Sequence, residues 1–297
     1  MSGAPSGPPG GDATPFYIVD VFTGERYRGN PLAVVMGQFD EPLMLAITRE
    51  MNYSETTFVG AVQEDGSVPV RIFTPGGEIA FAGHPTLGTA FVLRHQLGHT
   101  VQPLILQETV GPIPVCVEGG RYWMRQNQPT FQNLYDRAPI AEMLGIDVAD
   151  LDPRFPVQSV STGLPALVVP LRNLEACHRA RLNLECWRDL GNVPASVLVF
   201  SVGAEISGHD MHVRVFVGDL GIPEDPATGS ANGALAAYLQ RYQVVGERVD
   251  VRVEQGIEMG RPSTLHLRAR SEADGVLVDV GGGVQLVAKG HLMEPAE

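Results

Sequence analysis

The strongest constraint on this chain is that its sequence reads twice. GNPLAVV at residues 29–35 is matched by GLPALVV at 163–169, each a glycine turn, a proline and a strand-like apolar run. VRIF at 70–73 is matched by VRVF at 213–216. A loop and a glycine-opened apolar helix follow each of these strands, beginning Gly83-His84-Pro85-Thr86 and Gly229-Ser230-Ala231-Asn232. The order is the same both times, and an internal repeat decides architecture before any finer reading. Short β-rich segments at 101–117 and 264–280, broken by turn residues, argue for mostly antiparallel sheet. The two helices are apolar on nearly every face and therefore have to be buried. The expected fold is α+β, two similar lobes from a duplication, each a curved, mostly antiparallel sheet around a central helix. The division falls near 128–136, giving a flexible tail over 1–15, an N-terminal lobe over 16–132 and a C-terminal lobe over 133–297.

Several functions are excluded by what the chain lacks. A formal net charge of -13 argues against nucleic acid or an anionic membrane surface as partner, since both demand a basic face. Residues 1–15 carry no basic and apolar signal-peptide pattern, and no apolar run approaches the roughly 18 residues that span a bilayer. Cys116, Cys177 and Cys186 are odd in number and share no metal-ligand spacing, so a reduced, cytoplasmic protein is expected. The only lysine is Lys289; no phosphate-binding loop and no GxGxxG after a strand occur, so no cofactor is expected.

Chemistry is concentrated at the two glycine-opened helix starts. Glycine leaves the first backbone N–H groups bare, and these donors with the helix dipole make an anion site without a basic side chain. The competing reading is plain capping, with Thr228 or Ser230 as the N-cap. If the halves face each other, both helix starts point into one cleft and grip a carboxylate between them. Glu55, in Ser54-Glu55-Thr56-Thr57, is an unfavourable residue at the entry to a strand. His84 and Asp225 stand at the two glycine turns and complete an acid/base set with it. Asp225 and Glu224 close to Glu55 would raise its pKa. His95 and His99 are expected to share a helix face, but no neighbouring run offers the third ligand a metal site needs; strand alternation sends Asp210 and His212 to one face and His209 to the other, so no metal is expected. A Ser–His–Asp hydrolase from Ser54 or Ser230 with His84 and Asp225 lacks a G-x-S-x-G elbow.

From Phe16 to Leu292 these strings together resemble the PhzF-like family of phenazine biosynthesis, relatives of diaminopimelate epimerase. The strings are Asp20-Val21-Phe22 with Gly29-Asn30-Pro31, Ser54-Glu55-Thr56, Arg71-Ile72-Phe73-Thr74-Pro75, Phe81-Ala82-Gly83-His84-Pro85, Glu224-Asp225-Pro226-Ala227-Thr228-Gly229-Ser230, Gln255-Gly256 and Gly260-Arg261-Pro262-Ser263. The resemblance implies two β-barrel-like lobes with the site between them, and a homodimer. It implies an isomerase acting on a small carboxylate, as in the isomerisation of trans-2,3-dihydro-3-hydroxyanthranilate. Glu55 would shuttle the proton, His84 and Asp225 assist, and Ser54, Gly83, Gly229 and Ser230 hold the substrate. The alternatives are an epimerase or lyase on another hydroxy or amino acid, or a protein that only binds metabolites. The epimerase relatives place a cysteine at the start of each glycine-opened helix; Gly83 and Gly229 stand there here, which argues against two-thiol racemisation.

Overall fold

A computed structural model describes residues 13–218 and 223–293. Of the expected tail, residues 1–12 lie outside this range, while Thr14 and Pro15 already belong to the first strand. The chain runs β1 (Thr14–Val21), β2 (Asn30–Val35), α1 (Glu41–Met51), β3 (Thr56–Val59), β4 (Val68–Thr74), β5 (Gly77–Ile79), α2 (Gly83–Gln96), β6 (Leu104–Glu108), β7 (Gly111–Glu118) and β8 (Arg121–Arg125). It continues through β9 (Thr130–Tyr135), α3 (Arg137–Met143), β10 (Val157–Ser161), β11 (Pro165–Pro170), α4 (Leu174–Arg179), α5 (Leu184–Leu190), β12 (Ser196–Val202) and β13 (Met211–Val217). The last elements are β14 (Glu224–Asp225), α6 (Gly229–Arg241), β15 (Val249–Gln255), β16 (Ser263–Glu272), β17 (Gly275–Gly282) and β18 (Val284–Leu292).

Local chemistry sets these boundaries. The Asp40 side chain accepts the Leu43 N–H to cap α1, Pro42 lies in its first turn, and Asn52 ends it in the left-handed conformation. Along β16, Ser263, Leu265, Leu267 and Ala269 are buried while the residues between them are more exposed, as strand alternation demands. Helix α2 stops at Gln96, and Gly98 turns the chain with a positive φ, so His99 does not share a helix face with His95.

Antiparallel ladders predominate in a mixed sheet. β1–β2 is antiparallel, β2–β3 parallel, β3–β4 antiparallel, β4–β6 parallel, and β6–β7–β8 antiparallel. The same alternation follows from β10–β11 through β11–β12, β12–β13 and β13–β15 to β15–β16–β17. Crossings join the two sets: β17 pairs with β8, and β18 runs antiparallel along β1 and so covers its open edge. Thus the final strand, which the sequence division groups with the C-terminal part, hydrogen-bonds to the first.

Each set of strands surrounds one helix. α2 packs against β1, β2, β3 and β8, and α6 against β10, β11, β16 and β17. Residues 83–90 of α2 and 229–239 of α6 are all buried, and both helices feed one continuous apolar core. The helices meet at their N-termini. A Cβ added to Gly83 would lie 2.5 Å from the Cα of Gly229, and one added to Gly229 would lie 2.8 Å from the Cα of Gly83. Backbone meets backbone there, so no side chain fits at either position.

Gly83→Ala is therefore expected to lower unfolding stability by about 1–3 kcal/mol through overpacking. Gly24→Ala, where nothing lies within 4 Å of the added carbon, should leave it unchanged. Denaturant titration of the two variants checks the contrast.

Candidate active site

The meeting of α2 and α6 leaves a cleft of about 200 Å³ beside it, lined by Ser54, Glu55, Gly83, His84, Asp225, Thr228, Gly229 and Ser230, with Leu164 and Val217 among its apolar walls. All seven residues singled out in the sequence as catalytic or substrate-holding lie on this one cleft. Among the described residues, no arginine or lysine lines it.

Neither helix is capped by a side chain. Ala82 precedes α2 and has no oxygen to offer. Thr228 does occupy the N-cap of α6, but its hydroxyl donates to Asp225 Oδ2 instead of accepting from the helix. The capping reading is thereby set aside. The first N–H groups of both helices lack the side-chain acceptor that usually satisfies them, and they border the same cavity.

Glu55 stands immediately before β3, which runs parallel to β2, and its carboxyl reaches across to the first turn of α2. Its Oε2 lies 3.5 Å from His84 Nε2. Both atoms are buried and neither makes a hydrogen bond. Two unpaired polar atoms facing each other in a buried cleft are costly to folding, and such arrangements concentrate at functional sites. Glu55 is only 9% exposed, His84 3% and Asp225 6%.

Burial dominates the electrostatics of all three. It pushes the Glu55 carboxyl up to about 8, reinforced by the Asp225 charge and opposed by the neighbouring Ser54 hydroxyl. It raises Asp225 to about 6, where hydrogen bonds from Thr228 and Asn30 hold it down and Glu224 pushes it further up. It lowers His84 to about 3, with the Pro31 carbonyl opposing. At neutral pH, Glu55 carries the pair's proton, Asp225 is ionised and His84 is neutral. The expectation that Asp225 raises Glu55 holds. Glu224 acts on Asp225 instead, and its carboxylate is bound by Arg214.

Two residues that the sequence reading used only as landmarks organise this set. Asn30, fully buried at the start of β2, donates from Nδ2 to Asp225 Oδ1 at 3.0 Å and to the Ala227 carbonyl at 2.9 Å, with His84 Nδ1 at 3.2 Å. Its Oδ1 accepts from the Ser54 hydroxyl at 3.4 Å. Gln255, at the end of β15, donates to the Asp225 carbonyl and accepts from the Thr228 N–H and from Asn232. The signal was available in the motif glycine-asparagine-proline, where a polar residue opens an otherwise apolar strand.

His178, Glu205 and His212 offer ligand atoms within 4.8 Å of one another, the one such group among the described residues. The two imidazoles stack at 24° with centroids 5.2 Å apart, so their lone pairs run nearly parallel instead of converging on an ion. Both nitrogens of His212 already face Glu254 and Glu258, at 2.8 and 3.1 Å. His209, on the same segment, bonds Thr264 instead. The described helices include none long and apolar enough to cross a membrane.

In class, this is an isomerase of epimerase-like fold. Residues 19–290 match the family of phenazine biosynthesis-like proteins. A trans-2,3-dihydro-3-hydroxyanthranilate isomerase of Pseudomonas aeruginosa is 33% identical over 93% of this chain and 98% of its own length. An uncharacterized isomerase of Mesorhizobium japonicum is 34% identical over 93% and 98%. The crystal structure of a PhzF-family phenazine biosynthesis protein from Bacillus anthracis superposes with a TM-score of 0.85 at 27% identity, over 95% of this chain and 100% of that one. A probable proline racemase of Agrobacterium radiobacter shares the fold, with a TM-score of 0.63 at 11% identity over 94% and 93%. The chain belongs to the phenazine biosynthesis-like family and is a PhzF-type isomerase.

Asp225→Asn removes the charge that reinforces burial at Glu55. The Glu55 titration, followed by NMR of carboxyl-labelled protein, should shift below that of the unaltered chain.

Proposed function

We propose that this protein isomerises a small carboxylic acid by carrying one proton from one carbon to another on Glu55. The observation that supports this best is the unpaired Glu55–His84 couple, buried beside two uncapped helix starts. A substrate carboxylate docks on the N–H groups at Gly83 and Gly229, with Ser54 and Ser230 holding it from the sides. That places an activated C–H against Glu55. Its carboxylate takes the proton, and the resulting acid returns it at a second carbon; His84 and Asp225 orient the substrate and polarise its amine or hydroxyl. The relatives' activity suggests trans-2,3-dihydro-3-hydroxyanthranilate or a close chemical analogue as substrate.

The wider organisation follows the same reading. The two helix-centred lobes, over 16–132 and 133–297, descend from a duplication; the repeated order of strand pairings supports this, with β18 crossing back to β1. Family resemblance suggests a cytoplasmic homodimer. A two-thiol epimerase is disfavoured by the glycines at both helix starts.

Two measurements check the chemistry. In deuterated water with trans-2,3-dihydro-3-hydroxyanthranilate, the protein should give product carrying deuterium at a ring carbon wherever the acid formed on Glu55 exchanges with solvent before returning its proton, and product keeping the substrate's own proton otherwise. Glu55→Gln should stay folded and lose at least about 10²-fold in rate. Because the ionised carboxylate removes the proton, and its pKa is raised to about 8, kcat/KM should climb about tenfold per pH unit below that value and level off above it. A rate already flat from pH 5 to 7 would contradict this role.

A further inference from the structure

Arg214 lies in β13, 2% exposed and outside the cleft lining. A buried guanidinium is tolerated only when its charge and donors are matched, and here they are. Nε donates to Glu224 Oε1 at 2.9 Å and Nη2 to Glu224 Oε2 at 2.8 Å, a two-pronged ion pair. Nη1 donates to the carbonyls of Cys177 and Ala180, both at 2.9 Å, at the end of α4. The arginine thereby ties three elements together at one point.

One of those elements carries Asp225. β14 pairs with β13 through Phe216 opposite Glu224 and Val215 opposite Asp225. Successive strand residues face opposite ways. Glu224 turns back to Arg214, and Asp225 turns forward to Asn30 and Thr228. The charges around this point are unevenly shared. Behind β14, Arg214 also faces Glu258 at 3.6 Å; Glu258 and Glu254 bracket His212, and His178 and Glu205 pair beyond them. In front, Asp225 faces Glu55 and His84 across the cleft. Arg214 is the cation paired with Glu224; Arg181 lines the same groove, its guanidinium donating to the His178 and Ala180 carbonyls.

We infer that Arg214 is a positioning residue for the reaction proposed above: its grip on Glu224 fixes the backbone that presents Asp225 and offsets part of the negative charge standing directly behind it. This rests on the reading of Glu55 and Asp225 as the working pair. Without Arg214, the uncompensated Glu224 would oppose ionisation of Asp225, and the pair would hold its protons to higher pH. Without the Glu224 charge, the guanidinium, answered then only by Glu258 at 3.6 Å, would favour ionisation, and the pair would release them at lower pH.

The opposite signs make the test. Carboxyl-labelled protein is titrated by NMR without substrate, alongside the pH profile of turnover. Arg214→Met should move the titration of the pair up by about one pH unit, and its rate limb with it. Glu224→Gln, which keeps an acceptor for the guanidinium, should move both down. The double variant Arg214→Met with Glu224→Met should return near the starting values. Glu224→Gln covers the case in which Arg214→Met fails to fold. Titrations unmoved in folded single variants, or a double variant displaced as far as Arg214→Met, would overturn the inference. Failure of the underlying reading looks different: Glu55 of the unaltered protein would then titrate in the ordinary carboxylate range.

Discussion

Backbone contact between Gly83 and Gly229 is the constraint on which the rest of this structure depends. Two helices can meet head to head at that distance only if neither carries a side chain there, and their first N–H groups then border a shared space. Holding the helices in that position requires burying them on all sides. The sheet does so by surrounding each one, and the crossings of β17 to β8 and β18 to β1 join the two sets of strands. The pairing pattern, the two glycines and the cleft are thus one arrangement seen at three scales.

That arrangement also reconciles a strongly acidic protein with the carboxylate substrate proposed for it. A net charge of -13 opposes a carboxylate at long range, and among the described residues no arginine or lysine lines the cleft to offset it. Backbone donors at helix starts act at close quarters, inside a water-poor site where they are strongest. The same burial that strengthens them keeps a proton on Glu55, and Asp225 helps by remaining ionised. Asn30 and Gln255 hold the Asp225 segment from the cleft side, and Arg214 through Glu224 from behind. A carboxyl that retains its proton near neutrality is a strong base once ionised, which is what removal of a carbon-bound proton asks for.

Much of this was legible in the sequence, for identifiable reasons. Glycines opening apolar helices, and a glutamate misplaced at a strand entry, conflict with local preference, and such conflicts mark sites where tertiary structure imposes its own demands. What stayed hidden were partnerships across space. Asn30 and Gln255 read as residues inside motifs because nothing local says that their amides both reach Asp225. Arg214 reads as one more strand residue, and only the pairing of β13 with β14 reveals its tie to Glu224. Thr228 resembles a helix cap in sequence, yet Asp225 lies close enough to take its hydroxyl. The return of β18 to β1 was equally invisible, since register between distant strands leaves little trace in either one.

The claim at the centre, that two uncapped helix starts bind a carboxylate beside a protonated Glu55, is tested most directly by calorimetric titration with 3-hydroxyanthranilate and its carboxamide. The account expects the carboxylate to bind at least about tenfold more tightly, the loss of one charged contact being worth about 1.4 kcal/mol or more. It also expects binding to weaken as the pH rises through the titration of Glu55. Equal affinity for acid and amide, or binding indifferent to that titration, would contradict it.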